Sequence, residues 1–195
     1  KIDILNHKLN TQILMINIVL MMIAEQDSES QIPPSQKAIE RVNMEIARRL
    51  ETDDVEISLD YFGLTEVPIG MRKRTDVRRV SLAGNRLTYV TDIMFPTWCN
   101  YLCLRNNLLK EITECSIPWS VAILDLAHNG ITSFDGTKFA SVVNLKISHN
   151  SLKTLTFPPA CRIVDACYNK IETLGKFPWT LHTVDLICNK IKCLP

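Results

Sequence analysis

The sequence lacks several features that mark common catalytic and nucleic-acid-binding classes. Its formal net charge is only +1, which argues against bulk binding to nucleic acid or to an anionic membrane surface. It has 6 glycines and no glycine-rich loop of the kind that cradles phosphates. Its most apolar stretch, Ile13–Ala24, is too short for a membrane-spanning helix, which needs roughly 20 residues. These absences favour a globular protein without a nucleotide cofactor.

The cysteines do not form a disulfide framework in the sequence. Their number is odd, 7, and no spacing resembles the paired cysteines that close secreted repeat domains. Cys99 and Cys161 occupy positions of a buried apolar pattern, where a free thiol behaves as a small hydrophobe. The sequence also has no N-x-S/T glycosylation site. We therefore expect a cytoplasmic rather than a secreted protein.

What the sequence does contain is an internal repeat centred on asparagine. In Val121–Phe134, Leu124 and Leu126 flank one polar residue, Asn129 follows, and Ile131 continues the apolar frame. The same frame recurs around six asparagines at successive intervals of 22, 22, 21, 19 and 20 residues: Asn85, Asn107, Asn129, Asn150, Asn169 and Asn189. A fixed period of this length is typical of a solenoid.

Each repeat predicts one short strand followed by a turn. Two apolar residues separated by one polar residue have the period of a strand with one buried face. One such unit cannot bury a core alone, so the repeats are expected to stack with their strands parallel. The asparagine amide offers both a donor and an acceptor, and we expect it to bond to its own turn and to the next repeat.

The pattern resembles LxxLxLxxNxLxxL of the leucine-rich repeat superfamily, from about Val55 to Pro195. Ala166 departs from it by replacing the second strand leucine. The resemblance implies an α/β fold, a right-handed leucine-rich repeat solenoid or horseshoe. Short parallel strands would line its concave side, irregular or 3₁₀ segments its convex side, and a helix would cap its N-terminal end.

Three segments are expected. Residues 1–34 form a poorly structured leader and linker, 35–53 an N-terminal capping helix, and 54–195 about seven repeats. Ser35–Leu50 has helical apolar spacing, with Ser35 as its predicted N-cap; a partner-binding helix is the alternative. Phe62 takes the asparagine position of a degenerate first repeat. This order resembles small cytoplasmic leucine-rich repeat proteins and the repeat domains of bacterial effectors.

The basic segment Met71–Arg79 is predicted to be a solvated loop on the outer face, with an import signal or an anion-binding patch as the alternatives. The polar strand positions should project from the concave face, where they mix aromatic, basic and acidic side chains as protein-recognition surfaces do. The predicted partner-binding residues there are Tyr101, Arg105, Asp125, Lys146, Asp165, Asp185, His128, His149 and Tyr168.

Two alternatives at this face involve chemistry. His128 and His149 precede the asparagine in adjacent repeats, and with Cys167 and Asp125 nearby they have the ligand types of a zinc site. Cys167 with His149 is also a possible nucleophile–base pair. No Cys-x-x-Cys or His-x-x-x-His spacing reinforces a metal site, and no third orienting group follows from the sequence. We therefore expect no catalytic residue, no metal and no cofactor.

The sequence thus predicts a non-catalytic, monomeric module that binds a protein partner on its concave face, with no nucleic-acid or membrane partner. One alternative is the substrate-recognition half of an effector-type ubiquitin ligase, whose catalytic domain would follow Pro195. The other is a phosphatase-regulatory scaffold, which the two 22-residue intervals favour.

Overall fold

The structure, a computed structural model, describes residues 34–195. The predicted leader therefore lies outside the described residues, apart from its last position. Helix α1 spans Pro34–Glu51, and a boundary between two compact units falls within it, after Glu45. The helix begins one residue earlier than predicted. Proline suits the first turn of a helix, and Ser35 consequently lies inside α1 and is not its N-cap.

The end of α1 joins the first repeat. Ile46 and Leu50 pack against the repeat core. Arg74 donates to the carbonyl of Leu50 at 2.9 Å and to that of Asp54 at 2.8 Å, and it forms an ion pair with Asp76 at 2.7 Å. Hydrogen bonding to Arg74 lowers the pKa of Asp76 to about 2. Arg74, which belongs to the predicted solvated basic loop, therefore links that loop to the C-terminal end of α1.

The main sheet has seven parallel strands, one from each repeat. They are β1 (Glu56–Ser58), β2 (Arg79–Ser81), β3 (Tyr101–Cys103), β5 (Ile123–Asp125), β7 (Asn144–Lys146), β9 (Ile163–Asp165) and β11 (Thr183–Asp185). They pair in chain order with identical repeat positions opposite one another, as in Tyr101 against Ile123. The columns read from the repeat alignment are thus the observed columns.

The return segments contain short elements that the sequence did not reveal. Two further parallel sheets pair β4 (Glu111–Ile112) with β6 (Ser133–Phe134), and β8 (Thr154–Leu155) with β10 (Thr173–Leu174). Short 3₁₀ helices span Met71–Lys73, Asp92–Met94 and Gly136–Lys138, in agreement with the expected 3₁₀ character. The apolar frame lies between these segments and the main sheet, and Leu102, Leu124 and Leu145 are fully buried.

Each ladder asparagine joins two repeats, because its amide bonds to its own turn and to the preceding repeat. Asn107 donates to the carbonyl of Leu82 at 2.9 Å and to that of Leu104 at 3.1 Å, and its Oδ1 accepts from the amide of Leu87 at 3.0 Å. The equivalent bonds are made by all five of the remaining ladder asparagines. The predicted bond to the next repeat is wrong in direction, because each asparagine side chain bonds to the repeat that precedes it in the chain.

Among the described residues, no helix combines the length and the apolar character needed to cross a membrane.

Candidate partner-binding surface

The exposed side of the main sheet, which we call the strand face, carries most of the predicted site residues. Arg105 and Lys146 are exposed, and Tyr101, Asp165 and Asp185 are half-buried. Register places Lys146 opposite Asp165, and Asp165 opposite Asp185, on successive strands. The repeat therefore gathers these charges into one column.

Asp125 differs from the other predicted contact residues. Only 5% of it is exposed, and its Oδ1 accepts a hydrogen bond from the amide of Ala127 at 3.0 Å. A short carboxylate that bonds the backbone two residues ahead stabilises a turn. Asp125 therefore lies at the end of β5, below the surface of the strand face.

Arg79 and Tyr101 form a contact across adjacent strands. The Arg79 guanidinium lies 4.1 Å from the centre of the Tyr101 ring, a cation–π distance, and it pairs with Glu56 at 3.1 Å. Burial, with smaller effects of Cys103 and Asp125, raises the pKa of Tyr101, which is thus a neutral phenol at physiological pH. The repeat alignment places Arg79 beside Tyr101, although Arg79 is not among the predicted contact residues.

Past the strand ends, the residue before each ladder position is in the left-handed conformation. Its φ lies between 52° and 67° in all seven repeats: Tyr61, Gly84, Asn106, His128, His149, Tyr168 and Cys188. This conformation costs a non-glycine residue roughly 1–2 kcal/mol. It also aims the backbone amide at the following repeat, as in His128, whose amide bonds the carbonyl of Ser148 at 2.9 Å. We call this row the left-handed column.

Three aromatic side chains of the left-handed column stack. The rings of His128 and His149 lie 4.0 Å apart and those of His149 and Tyr168 lie 4.4 Å apart, each pair within 11° of parallel. Burial lowers the pKa of His128, and the nearby His149 and Arg105 lower it further. Hydrogen bonding to Cys188 raises the pKa of Tyr168. At neutral pH the stack is therefore uncharged at His128 and Tyr168.

The geometry of the stack disfavours the zinc alternative. A zinc ion lies in the plane of each ligating imidazole, about 2.0–2.1 Å from its nitrogen. Two parallel rings 4.0 Å apart cannot both meet this requirement. Among the described residues, the metal-type cluster is Asp165, Cys167 and Asp185, whose ligand atoms lie within 4.8 Å of one another.

Hydrogen bonding accounts for this cluster without an ion. Burial raises the pKa of Cys167 to about 11, with hydrogen bonding to Asp165 acting in the same direction, so the thiol is protonated at neutral pH. Burial raises the pKa of Asp165, but hydrogen bonds from Cys167 and Ser148 outweigh it and lower the pKa overall. A thiol that keeps its proton is a weak nucleophile, which also disfavours the Cys167–His149 catalytic alternative.

Several exposed apolar residues were not among the predicted contacts. On the strand face, Ile163 is 45% and Ile187 65% exposed. Away from it, Trp98 and Trp119 meet edge to face with ring centres 5.4 Å apart. Both tryptophans lie in the proline-containing return segments. Each follows a proline at a similar point of adjacent repeats, and this spacing is the sequence signal that could have predicted their contact.

No protein-family model and no curated protein matches the sequence. Solved structures do resemble it. The APL1 leucine-rich repeat domain is 25% identical with a TM-score of 0.56, over 60% of this chain and 32% of that one. The leucine-rich repeat domain of a Shigella effector is 20% identical with a TM-score of 0.54, over 91% of this chain and 68% of that one. That of APL1B is 17% identical with a TM-score of 0.54, over 84% and 57%.

The described chain is a leucine-rich repeat solenoid with an N-terminal helix, as its parallel strands and these structural neighbours show. The chain spans about a third of the length of the APL1 domain, 32%. Domains of this fold commonly mediate protein–protein interaction through the extended surface that stacked repeats create.

Proposed function

We propose that this protein is a non-catalytic module that binds a protein partner on its strand face. The observation that carries the proposal is the exposure of Ile163 and Ile187 on that face, which also carries the exposed Lys146. Protein-recognition surfaces typically combine apolar, aromatic and charged side chains, as this face does with Ile163, Tyr101 and Lys146. In a solenoid these side chains are held by a rigid sheet, so little conformational entropy is lost on binding.

The proposed contact residues are those of the predicted set that reach the surface. On the strand face they comprise an aromatic ring, two cations and two carboxylates, and the stacked rings of the left-handed column border them. They are Tyr101, Arg105, Lys146, Asp165, Asp185, His128, His149 and Tyr168. Asp125 is omitted because it is buried. The monomeric state and the cytoplasmic location remain part of the proposal.

Tyr101 is the best single test of the strand face, because tyrosine and arginine dominate many interfaces. We expect Tyr101→Ala and Arg105→Ala each to reduce partner recovery from an affinity purification at least fivefold, about 1 kcal/mol. Tyr101→Phe should retain most of it, since the ring over Arg79 is preserved. Thermal unfolding of each variant checks that the fold is intact.

The matched control lies outside the strand face. Lys138 and Glu114 form an exposed ion pair at 3.6 Å on the return segments, and replacing both with alanine should leave recovery unchanged. If the strand-face variants bind as the wild type does, while the control variant loses the partner, the site belongs on the return segments.

A further inference from the structure

Basic residues collect along the side of the solenoid where the main strands end. They follow the left-handed column or flank it, and we call them the cationic rim: Arg86, Arg105, Lys110, Lys153, Lys170 and Lys190. All are exposed. Backbone hydrogen bonds connect these segments to the preceding repeat. For example, the amide of Lys170 donates to the carbonyl of Leu152 at 3.0 Å, and its Nζ donates to Ser151 Oγ at 3.4 Å.

The cationic rim has little carboxylate to neutralise it. Within the described chain, none of its members forms an ion pair, whereas cations such as Arg79 and Lys192 do. From the left-handed column to five residues beyond it in each full repeat, the carboxylates are Glu111 and Glu172, while Asp125, Asp165 and Asp185 lie three residues before the column. Lys192 already pairs with Glu172 at 2.6 Å. The rim is thus a local excess of positive charge on a chain of net charge +1.

The stacked histidines fill the gap in the middle of the rim, between Arg105 and Lys153. Neither His128 nor His149 has a ring nitrogen engaged in a hydrogen bond to another described residue. Their ring edges can therefore donate to an acceptor on a ligand. The inner ring faces cannot receive a ligand, because each of them covers another ring of the stack.

We propose that the cationic rim binds an acidic segment of a partner protein, an inference that rests on the proposed strand-face function. Carboxylates of an extended segment would meet Arg105, Lys153 and the histidine edges, since positive and negative potentials on opposed surfaces favour association. Ile187, which directly precedes Cys188 of the left-handed column and is 65% exposed, can give the same segment an apolar contact. Single-stranded nucleic acid fits less well, because its bases stack on free aromatic faces and the inner faces of the His128–His149–Tyr168 stack are occupied.

The test uses two fluorescent probes, a labelled peptide of alternating glutamate and serine and a labelled oligothymidine of equal charge. Fluorescence anisotropy measures binding to the full chain at low and high salt. The rim variant is Lys153→Glu with Lys170→Glu, two exposed rim positions outside the strand-face set, and Lys153→Gln with Lys170→Gln is a milder version. The matched control, Arg162→Glu with Lys176→Glu, makes the same charge change at exposed positions outside the rim.

We expect the glutamate peptide to bind the wild-type chain at low salt and to bind the rim variant roughly tenfold or more weakly. The glutamine variant should fall between them, and the control should change less than about twofold. The inference is overturned if the peptide does not bind, if the rim reversal leaves its affinity unchanged, or if oligothymidine binds as tightly through the same residues.

A second measurement separates this inference from the proposed function. Partner recovery is compared between the rim variant and Tyr101→Ala. Loss in both supports the acidic segment. Full recovery by the rim variant with loss in Tyr101→Ala overturns the rim inference and leaves the strand-face proposal standing.

Discussion

The ring of Tyr61 lies where a β-carbon on Gly84 would have to stand. Gly84 has a φ of +67°, and a Cβ built on it would collide with three atoms of that ring. Both residues belong to the left-handed column, so the glycine is required for conformation and for space. We expect Gly84→Ala to lower the free energy of unfolding by about 1–3 kcal/mol, from the left-handed strain and from displacement of the ring. Urea denaturation measures this loss.

The double variant Tyr61→Ala with Gly84→Ala separates the two contributions. Removing the ring should recover the steric part and leave a penalty of roughly 1 kcal/mol for the alanine at positive φ. Additive losses in the two single variants would show that the ring does not contact the new methyl group.

Asn106 and Asn107 are adjacent in one turn but have different roles. The Asn107 side chain is buried and bonds two repeats, whereas Asn106 is exposed and occupies the left-handed column. We expect Asn107→Ala to cost about 2–4 kcal/mol, because buried backbone groups of both repeats lose their partners.

Asn106→Gly is the matched control. Glycine accepts positive φ without strain, so its stability should stay within about 0.5 kcal/mol of the wild type. Chemical denaturation of both proteins gives the comparison, and equal losses would contradict the ladder as the coupling between repeats.

Much of the fold was predictable because the repeat supplies its own alignment. Six asparagines set the register, and the observed pairing of Asn144 with Ile163 follows from it. Buried frame residues such as Leu124 follow from strand alternation. The start of α1 was displaced by one residue because Pro34 is compatible with both a linker and a first helical turn.

The finer features of the candidate surface were not predictable. The sign of φ at His128 and His149 depends on bonds to the following repeat, and only Gly84 hinted at it. Asp125 is a strand-face position by alternation, yet only 5% of it is exposed, whereas Asp165 and Asp185 accept equivalent backbone bonds and stay half-buried. Periodicity identifies which residues share a column, whereas depth depends on the size and hydrogen bonding of their neighbours.

His128 makes stability depend on pH. Its pKa in the folded chain lies below 6.5 because of burial, with His149 and Arg105 acting in the same direction against the weaker effects of Asp125 and Asp165. The unfolded chain therefore binds the proton more readily. The stability that this group contributes is complete above its unfolded pKa, and it is lost as the pH falls from 6.5 through the folded pKa.

His128→Asn tests this dependence, since Asn106 shows that the left-handed column accepts asparagine. We expect the wild type to lose more stability than the variant between about pH 7.5 and 5.5. Thermal unfolding across this interval measures both slopes. Parallel slopes would mean that His128 carries no linked proton.

In each turn, the residue that links the repeats and the residue of the left-handed column are two different, adjacent residues. The neighbouring asparagines hold successive repeats together through their amides, so the preceding side chain is spared that task. Apart from Gly84, whose place the Tyr61 ring restricts, each turn of the solenoid thereby offers one position whose side chain can change while the scaffold stays the same. In chain order these positions are occupied by tyrosine, glycine, asparagine, histidine, histidine, tyrosine and cysteine, which form a single row along one side of the main sheet.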